Sequence, residues 1–117
     1  MDETIREASL GDFPDIEGLL KEQHLPEKWT KEHWESLIDR EDYGLFVAEI
    51  DNEIVGFAAA KVTGFPETLS TGMLKKPLAS ITHVVVQKGH KDVHPELIQR
   101  CLLWARKMGA DDFRFPF

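Results

Sequence analysis

Residues 79–113 constrain the fold more than any other part of the chain. Residues 79–87 are predicted to form a strand, and the three consecutive valines at 84–86 are typical of a strand covered on both faces. A loop and an amphipathic helix follow, Gly109 predicts the end of that helix, and residues 112–115 predict another strand. A buried strand, a loop and a helix in this order form the layout that many folds use to bind phosphate groups.

The predicted helix carries a wide apolar face, so it is expected to pack flat on the sheet. That face consists of Leu97, Ile98, Cys101, Leu102, Ala105 and Met108. Cys101 is the only cysteine of the chain, so neither an internal disulfide nor a cysteine-rich zinc site is expected. Its place on the apolar face predicts a buried small hydrophobic residue and not a reactive thiol.

The N-terminal third is predicted to contain a strand and two helices. A short strand is expected at residues 5–8, and the pattern Ser-x-x-Asp at 9–12 is typical of a helix start, here of a helix over residues 11–23. Thr30 is expected to cap a second, short helix, which Tyr43-Gly44 ends. The inward residues of the second helix are predicted to be Trp34, Leu37 and Ile38, and Trp29 is expected to be a core aromatic residue.

A β-hairpin is predicted next, with strands over residues 45–50 and 54–62 joined by a tight turn at 51–53. Gly56 inside the second strand indicates a bulge or a close approach of another backbone. Three consecutive alanines at 58–60 keep the surface of that strand thin. Two explanations are open at this point: a ligand lies close to the strand, or a helix packs tightly against it.

The composition of the 117-residue chain predicts one globular domain over residues 1–117. The formal net charge is -7 and no dense Lys/Arg face is present, so nucleic acid is not expected as a partner. The N-terminus lacks an apolar core and no apolar run is long enough to span a bilayer, so a cytoplasmic protein without membrane contact is expected. Residues 64–77 are predicted to form an unusually long connection.

Three stretches in register resemble one known family. They are IREASLGDFPDIEGLL, FVAEIDNEIVGFAAA, and ITHVVVQ followed by LIQRCLLWARKMGADDF. Together they resemble the opening, the central hairpin and the core strand–helix unit of the GNAT superfamily of acyl-CoA-dependent N-acetyltransferases, over essentially the whole chain. The resemblance implies an α/β (α+β) fold, with a mixed, mostly antiparallel sheet flanked by helices and splayed open between its fourth and fifth strands. The chain ends at Phe117, so the family's usual C-terminal helix and hairpin are expected to be lacking.

The resemblance also implies a site for acetyl-CoA or CoA in the gap of the sheet. The pantetheine arm is implied to lie along the fourth strand, and the pyrophosphate on the loop and helix start behind it. The residues implied for these contacts are Val84, Val85, Val86, Lys88, Gly89, His90 and Lys91. The loop departs from the family's pattern, because a second glycine is missing, Pro95 at the expected first helix position offers no N–H, and Asp92 is expected to occupy helix N–H groups. The two lysines then either contact the phosphates directly or belong to a solvated turn.

His83 is the candidate catalytic base, because the matching stretch of the fourth strand, residues 80–83, contains no Asp or Glu. Histidine is the side chain that ordinarily changes protonation near neutral pH. The alternatives are a bound water as the base, or a hydrogen-bonded structural role for His83. The tyrosine that often protonates the departing thiolate in the family has no counterpart at its usual place, and the only tyrosine, Tyr43, lies far upstream. The scattered histidines, His90 and His94 included, predict no metal site.

The function that follows from these residues and from the resemblance is transfer of an acetyl group from acetyl-CoA to a primary amine of a small molecule or peptide. The competing prediction is a catalytically inactive relative that serves as a binding or interaction module. An open sheet edge favours pairing with a second copy, so a homodimer is one candidate assembly. In a third alternative, a partner or the rest of the natural polypeptide supplies the missing strands.

Overall fold

The computed structural model describes residues 3–23, 29–63, 78–110 and 112–114, which form a five-stranded sheet with helices on both faces. The strands are β1 (Glu3–Glu7), β2 (Tyr43–Ile50), β3 (Glu53–Thr63), β4 (Leu78–Val86) and β5 (Asp112–Arg114), in that spatial order. The helices are α1 (Phe13–Glu22), α2 (Lys31–Ile38) and α3 (Val93–Lys107). Neighbouring strands are antiparallel from β1 to β4, whereas β5 runs parallel to β4. The predicted α/β class, with a mixed and mostly antiparallel sheet flanked by helices, is confirmed.

The hairpin between β2 and β3 forms as predicted, with a two-residue turn. Asp51 and Asn52 are the central residues of this turn and have positive φ angles of 51° and 66°, as a type I′ turn requires. Short polar side chains such as these enter the left-handed region more readily than other residues apart from glycine. Further along the hairpin the register shifts beside Gly56, which confirms the predicted bulge.

The first predicted helix is built in two pieces. Leu10–Asp12 is a short 3-10 helix, and α1 continues from it. The predicted capping pattern forms, because the Asp12 carboxylate accepts hydrogen bonds from the Ser9 N–H at 2.8 Å and from the Ser9 hydroxyl at 3.2 Å. Arg6 also donates twice to Asp12, at 2.8 and 2.9 Å, and it contacts Glu49. Burial alone would raise the pKa of Asp12, but the hydrogen bonds from Arg6 and Ser9 outweigh it and lower that pKa, so a charged carboxylate ties β1 to the start of α1.

Several predicted boundaries differ from the structure, and two of them matter for the packing. The first strand begins two residues earlier than expected. The second helix starts where it was predicted, because Thr30 caps it: Thr30 Oγ1 accepts a hydrogen bond from the His33 N–H at 3.1 Å. Its end differs from the prediction, because the helix stops at Ile38. Tyr43 and Gly44 therefore do not end this helix, because they are the first residues of β2. Glycine is needed there for packing and not for helix termination, since the indole ring of α3 lies directly over it.

The helix α3 packs on the face of β3 that carries the smallest side chains. Gly56, Ala58 and Ala60 lie under Val93 and Leu97 of the helix. A Cβ on Gly56 would lie 2.9 Å from Leu97 Cδ1 and 3.3 Å from Val93 Cγ1, so the helix lies nearly as close to the strand as its side chains allow. Of the two explanations for the small side chains of β3, tight helix packing therefore holds on the face toward α3. Ala59 points to the opposite face, toward α1 and α2.

The strand β4 is covered on both faces, as its run of valines predicts. Val85 belongs to the apolar core under α1 and α2, whereas Val84 and Val86 pack toward α3. The core under α1 and α2 is built around Ile16, Leu19, Leu20, Trp34, Leu37, Leu45, Val47 and Phe57. Cys101 is buried under α3, and burial raises the pKa of its thiol to about 12, which confirms its predicted role as an unreactive hydrophobic residue. The long connection predicted over residues 64–77 lies outside the described residues.

Replacing Gly44 with alanine is expected to destabilise the domain by about 1–3 kcal/mol, the usual cost of overpacking a close-packed site. The added Cβ would lie 2.6–2.9 Å from three atoms of the rigid Trp104 ring. Gly18 in α1 is the matched control, because an added Cβ would find no atom within 4 Å. Gly18→Ala is therefore expected to stabilise the protein by about 0.5–1 kcal/mol through helix propensity. Urea unfolding measures both effects, and equal effects of the two substitutions would contradict the close contact at Trp104.

Candidate functional site

The described pairing between β4 and β5 covers only the first part of β4. In the part of the chain that the structure describes, β5 pairs with β4 only over residues 78–80. The rest of β4, residues 81–86, has β3 on one side and no described strand on the other. Among the described residues, the C-terminal part of β4 therefore has a neighbouring strand on one side only, and we call this side the open edge of β4. The family resemblance implies a gap between the fourth and fifth strands at this place.

The open half of β4 directs two backbone positions outward. Gln87 donates its N–H to a carbonyl of β3 at 2.7 Å, so alternation along an antiparallel strand turns the N–H and C=O groups of Val84 and Val86 away from β3. The Gln23 side chain confirms this direction, because its amide donates to Val86 O at 3.2 Å. Of the three valines predicted to contact the cofactor, Val84 and Val86 therefore offer backbone groups at the edge, whereas Val85 turns its own groups toward β3.

A bulge in β4 brings a threonine and a histidine together. Ala59 pairs with His83 and Ala60 with Ile81, which leaves Thr82 as the extra residue. Thr82 Oγ1 lies 3.2 Å from Ala59 O and 3.0 Å from His83 Nδ1. When the hydroxyl donates its single hydrogen to the carbonyl, Oγ1 accepts a hydrogen bond from His83 Nδ1–H. Thr82 thus orients the imidazole ring through Nδ1.

The predicted base His83 lines a pocket between α2 and the sheet. The pocket has a volume of about 290 Å³ and is lined by Trp29, His33, Leu37, Tyr43, Ala59, Thr82 and His83. The Trp29 ring stands edge-on to His83, with ring centroids 5.0 Å apart, and to His33 at 5.3 Å. Ala59 is paired with His83 across the sheet and forms the floor with a single methyl group. On this face of the thin strand there is room for a ligand.

Tyr43 and Trp29 belong to this pocket although their sequence positions do not indicate it. Tyr43 is far from His83 in the sequence, but β2 and β3 bring the two together because Leu45 pairs with Ala59, which pairs with His83. Trp29 packs on the core, as expected, and its ring also lines the pocket. No spacing pattern marks either residue, since both positions depend on the register of three strands and on the packing of α2.

A second pocket lies at the end of the open β4 edge. It has a volume of about 360 Å³ and is lined by Glu22, Gln23, Val86, Gln87, Lys88 and Lys91. Lys88 and Lys91, two of the four loop residues predicted to hold the pyrophosphate, face this pocket, whereas Gly89 and His90 do not line it. Gly89 is exposed with a φ of 96°, and the His90 N–H is engaged by a carbonyl of the same turn at 3.1 Å. The positive charge of the pocket therefore comes from two lysine side chains, opposed by Glu22.

The helix α3 begins at Val93, earlier than expected, and Pro95 is its third residue and not its first. Asp92 occupies the cap position, but its side chain accepts no hydrogen bond from the helix. Its backbone is helical, at φ -65° and ψ -19°, whereas a capping carboxylate needs an extended backbone to reach the N–H groups of the first turn. The expectation that Asp92 occupies these N–H groups is therefore wrong.

A pair of carboxyl groups joins β1 to the first turn of α3. The side chains of Glu3 and Glu96 lie within hydrogen-bonding reach of each other. Glu3 Oε1 is shielded from solvent and accepts no hydrogen bond from a donor in the described part of the chain. The hydrogen bond with Glu96, burial, and the charges of Glu96 and Asp92 raise the pKa of Glu3 to about 7. Below that pH the two carboxyl groups share a proton, and above it they repel each other.

Glu3→Gln is expected to remove a pH-dependent loss of stability. Because folding raises the pKa of Glu3 from 4.5 to about 7, the wild-type protein loses stability as the pH rises through this interval. An amide cannot ionise, so the variant should melt above wild type at alkaline pH, and this gap should narrow as the pH falls toward the ordinary carboxyl pKa. Circular dichroism melts across this range measure the gap. Glu53→Gln at the exposed hairpin turn is the control, and a pH profile of Glu3→Gln that parallels wild type would contradict the shared proton.

A sequence comparison assigns this architecture to a family. The model of the Acetyltransferase (GNAT) family matches residues 4–113. The match covers nearly the whole chain, so the protein belongs to the GNAT acetyltransferase family. No curated protein sequence matches the chain significantly.

Solved structures of GNAT-type proteins share the fold. The transcriptional regulator from Bacillus halodurans C-125 has a TM-score of 0.82 at 20% identity, over 99% of this chain and 82% of that one. The glucosamine-6-phosphate N-acetyltransferase from Arabidopsis thaliana has a TM-score of 0.79 at 16% identity, over 100% and 83% of the two chains. An aminoglycoside N-acetyltransferase in complex with CoA has a TM-score of 0.75 at 18% identity, over 97% and 78%. At these identities the similarity establishes the fold.

Two further observations concern the described residues. None of their helices is both long enough and apolar enough to cross a bilayer. Within residues 3–23, 29–63, 78–110 and 112–114, no three His, Cys, Asp or Glu side chains are arranged to hold a metal ion. His90 lies before the start of α3, so it does not form a helical pair with His94.

Proposed function

We propose that the protein transfers an acetyl group from acetyl-CoA to a primary amine. The observation that carries this proposal is the open half of β4, which runs from the pocket of Lys88 and Lys91 to the pocket of His83. An extended chain that contains amide groups can lie along such an edge and pair with the outward N–H and C=O of Val84 and the outward N–H of Val86, as an added strand does, while the Val86 carbonyl accepts from the Gln23 side chain. The pantetheine arm of CoA is a chain of this kind, and its two ends would then meet the lysines and the histidine.

The lysine pocket supports binding of the diphosphate of CoA. Lys88 and Lys91 supply two ammonium groups beside the start of α3, where the helix dipole also favours negative charge. The carboxylate of Asp92 makes no hydrogen bond to the first turn, so it does not compete for those N–H groups. Because the contacts are charge contacts at an exposed loop, CoA binding is expected to weaken as the ionic strength rises.

The chemistry forms one C–N bond and breaks one C–S bond. The neutral amine nitrogen attacks the thioester carbonyl carbon, and the tetrahedral intermediate collapses with CoA thiolate as the leaving group. His83 Nε2 accepts the proton that the amine loses and returns it to the thiolate, so protons and charge balance. The N–H groups on the open edge of β4 are the donors that would stabilise the oxyanion. Thr82 contributes by orienting the imidazole ring through Nδ1.

Family membership and the shared fold of a CoA-bound aminoglycoside N-acetyltransferase support this function. A catalytically inactive binding module is the second candidate, and the loop favours it, because Gly89 is the only glycine there and the His90 N–H is already engaged. A homodimer through an exposed sheet edge is compatible with either function. The two candidates differ in whether an acetylated amine is formed.

Coenzyme A is expected to raise the melting temperature, since a ligand that binds only the folded state stabilises it. Lys91→Glu should weaken CoA binding about tenfold, the loss expected when one charge-assisted hydrogen bond of about 1.5 kcal/mol is removed. Lys107→Glu at the opposite end of α3 makes the same charge change away from the pocket and should leave the shift as it is. Differential scanning fluorimetry at millimolar CoA measures these shifts. No shift in wild type would contradict CoA binding, and an equal loss in both variants would remove Lys91 from the site.

His83→Ala is expected to lower kcat by roughly 10²–10⁴-fold, the usual contribution of a positioned general base. Thr82→Val keeps the shape of the side chain but removes the hydroxyl that orients His83, so kcat should fall by about tenfold or more. Thr82→Ser retains the hydroxyl and should restore the rate. Steady-state acetylation assays measure kcat, and the CoA-induced melting shift, which should be equal in all variants, reports folding.

Wild-type kcat in Thr82→Val would refute the orienting role of the hydroxyl. Wild-type kcat in His83→Ala would remove His83 as the base. If CoA raises the melting temperature but no amine is acetylated, the protein is the binding module.

A further inference from the structure

We propose that the acceptor amine is carried by one flat, apolar ring system, as in an arylalkylamine, and that the pocket of Trp29, His33, Tyr43 and His83 binds this ring. The inference rests on the proposed function, because it takes this pocket as the acceptor side of the reaction. It concerns the chemical class of the acceptor, which neither the family nor the fold determines. A sugar that carries several ammonium groups, such as an aminoglycoside, is the contrasting class.

Aromatic rings dominate the walls of this pocket. Of the seven lining residues that the structure describes, four carry rings, and the others are Leu37, Ala59 and Thr82. Among the described lining residues there is no carboxylate, lysine or arginine. Burying several ammonium groups without carboxylates is costly, whereas ring walls favour an apolar planar group through burial and stacking. The lining therefore suits a ring whose single amine points to His83.

Trp29 forms a wall of the pocket and contacts three other rings. Its ring meets Phe57 at 89°, His83 at 78° and His33 at 68°, with centroids 5.6, 5.0 and 5.3 Å away. Edge-to-face contacts of this kind hold a ring in one orientation. Ala59 leaves the floor only a methyl group thick, so a flat group can lie against β3. The volume of about 290 Å³ lies at the small end of ligand pockets, which span roughly 300–1,000 Å³, and it suits one ring system.

The wall formed by Tyr43 carries positive charge. Arg40 Cζ lies 4.8 Å and Lys61 Nζ 5.6 Å from the centroid of the Tyr43 ring. Asp42 offsets the charge of Arg40 through hydrogen bonds of 2.9 and 2.6 Å and also attracts Lys61 from a longer distance, so one carboxylate faces two cations here. A second or third ammonium group on an acceptor would meet this charge with no carboxylate among the described lining residues to balance it. The charge distribution thus discriminates against polycations.

Steady-state acetylation of three amines tests the inference: phenethylamine, n-butylamine and kanamycin. The value of kcat/KM for phenethylamine is expected to exceed that for n-butylamine by about tenfold or more, mainly through KM, because the ring adds buried apolar area. Kanamycin is expected to be the poorest of the three. A preference for kanamycin, or equal values for phenethylamine and n-butylamine, would overturn the inference.

Variants of the pocket connect the preference to its walls. Tyr43→Phe keeps the ring and should keep the ratio of kcat/KM between phenethylamine and n-butylamine, whereas Tyr43→Ala should lower that ratio about tenfold. Ala59→Leu raises the floor and should exclude phenethylamine. The CoA-induced melting shift shows which variants are folded. An unchanged ratio in Tyr43→Ala, or an equal loss in Tyr43→Phe and Tyr43→Ala, would refute the ring wall.

A binding measurement separates this inference from the proposed function. Phenethylamine added to the CoA-bound protein is expected to shift the indole N–H resonance of Trp29, which is identified by its loss in Trp29→Phe. If this shift occurs and no amine is acetylated, the proposed function fails while the ligand class of the pocket stands. If amines are acetylated but phenethylamine shifts no Trp29 resonance, the acceptor class is overturned while the function stands.

Discussion

The close approach of α3 to β3 determines where the site lies. Gly56 and its two neighbouring alanines on that face place nothing larger than a methyl group between strand and helix, and a Cβ on Gly56 would already lie 2.9 Å from Leu97 Cδ1. Packed interiors transmit displacements, so a larger residue on this face would move α3 away from the sheet together with the loop that carries the two lysines. The apolar packing of α3 on β3 thus keeps the pocket of Lys88 and Lys91 beside Val86.

The bulge at Thr82 places Ile81 and His83 on opposite faces of the sheet. In a regular strand, residues two positions apart point to the same face. Here Ile81 packs under α3 while His83 lines the pocket beside α2, because Thr82 is an extra residue between them. One irregularity therefore turns the histidine toward the pocket beside α2 and brings the Thr82 hydroxyl within hydrogen-bonding distance of its ring. The strand β4 therefore packs against α3 with one face and contributes His83 to the pocket with the other.

The fold could be predicted from the sequence where the signals are local. The apolar face of α3, the hairpin and the terminating Gly109, with its φ of 93°, each follow from a short pattern. The pocket of Trp29, Tyr43 and His83 could not be predicted from the sequence. Tyr43 and Trp29 come close to His83 only through the register of the strands and the packing of α2. The error at Asp92 has a similar cause, since capping depends on backbone angles that the residue type alone does not determine.

The central claim is that the open edge of β4 binds CoA as an added strand. Amide hydrogen exchange at β4, followed by NMR with and without saturating CoA, tests it most directly. The account predicts that the Val84 and Val86 amides, which point away from β3, become protected when CoA binds, whereas the Val85 amide is protected in both states. If CoA binds and the exchange of Val84 and Val86 does not change, the account is contradicted.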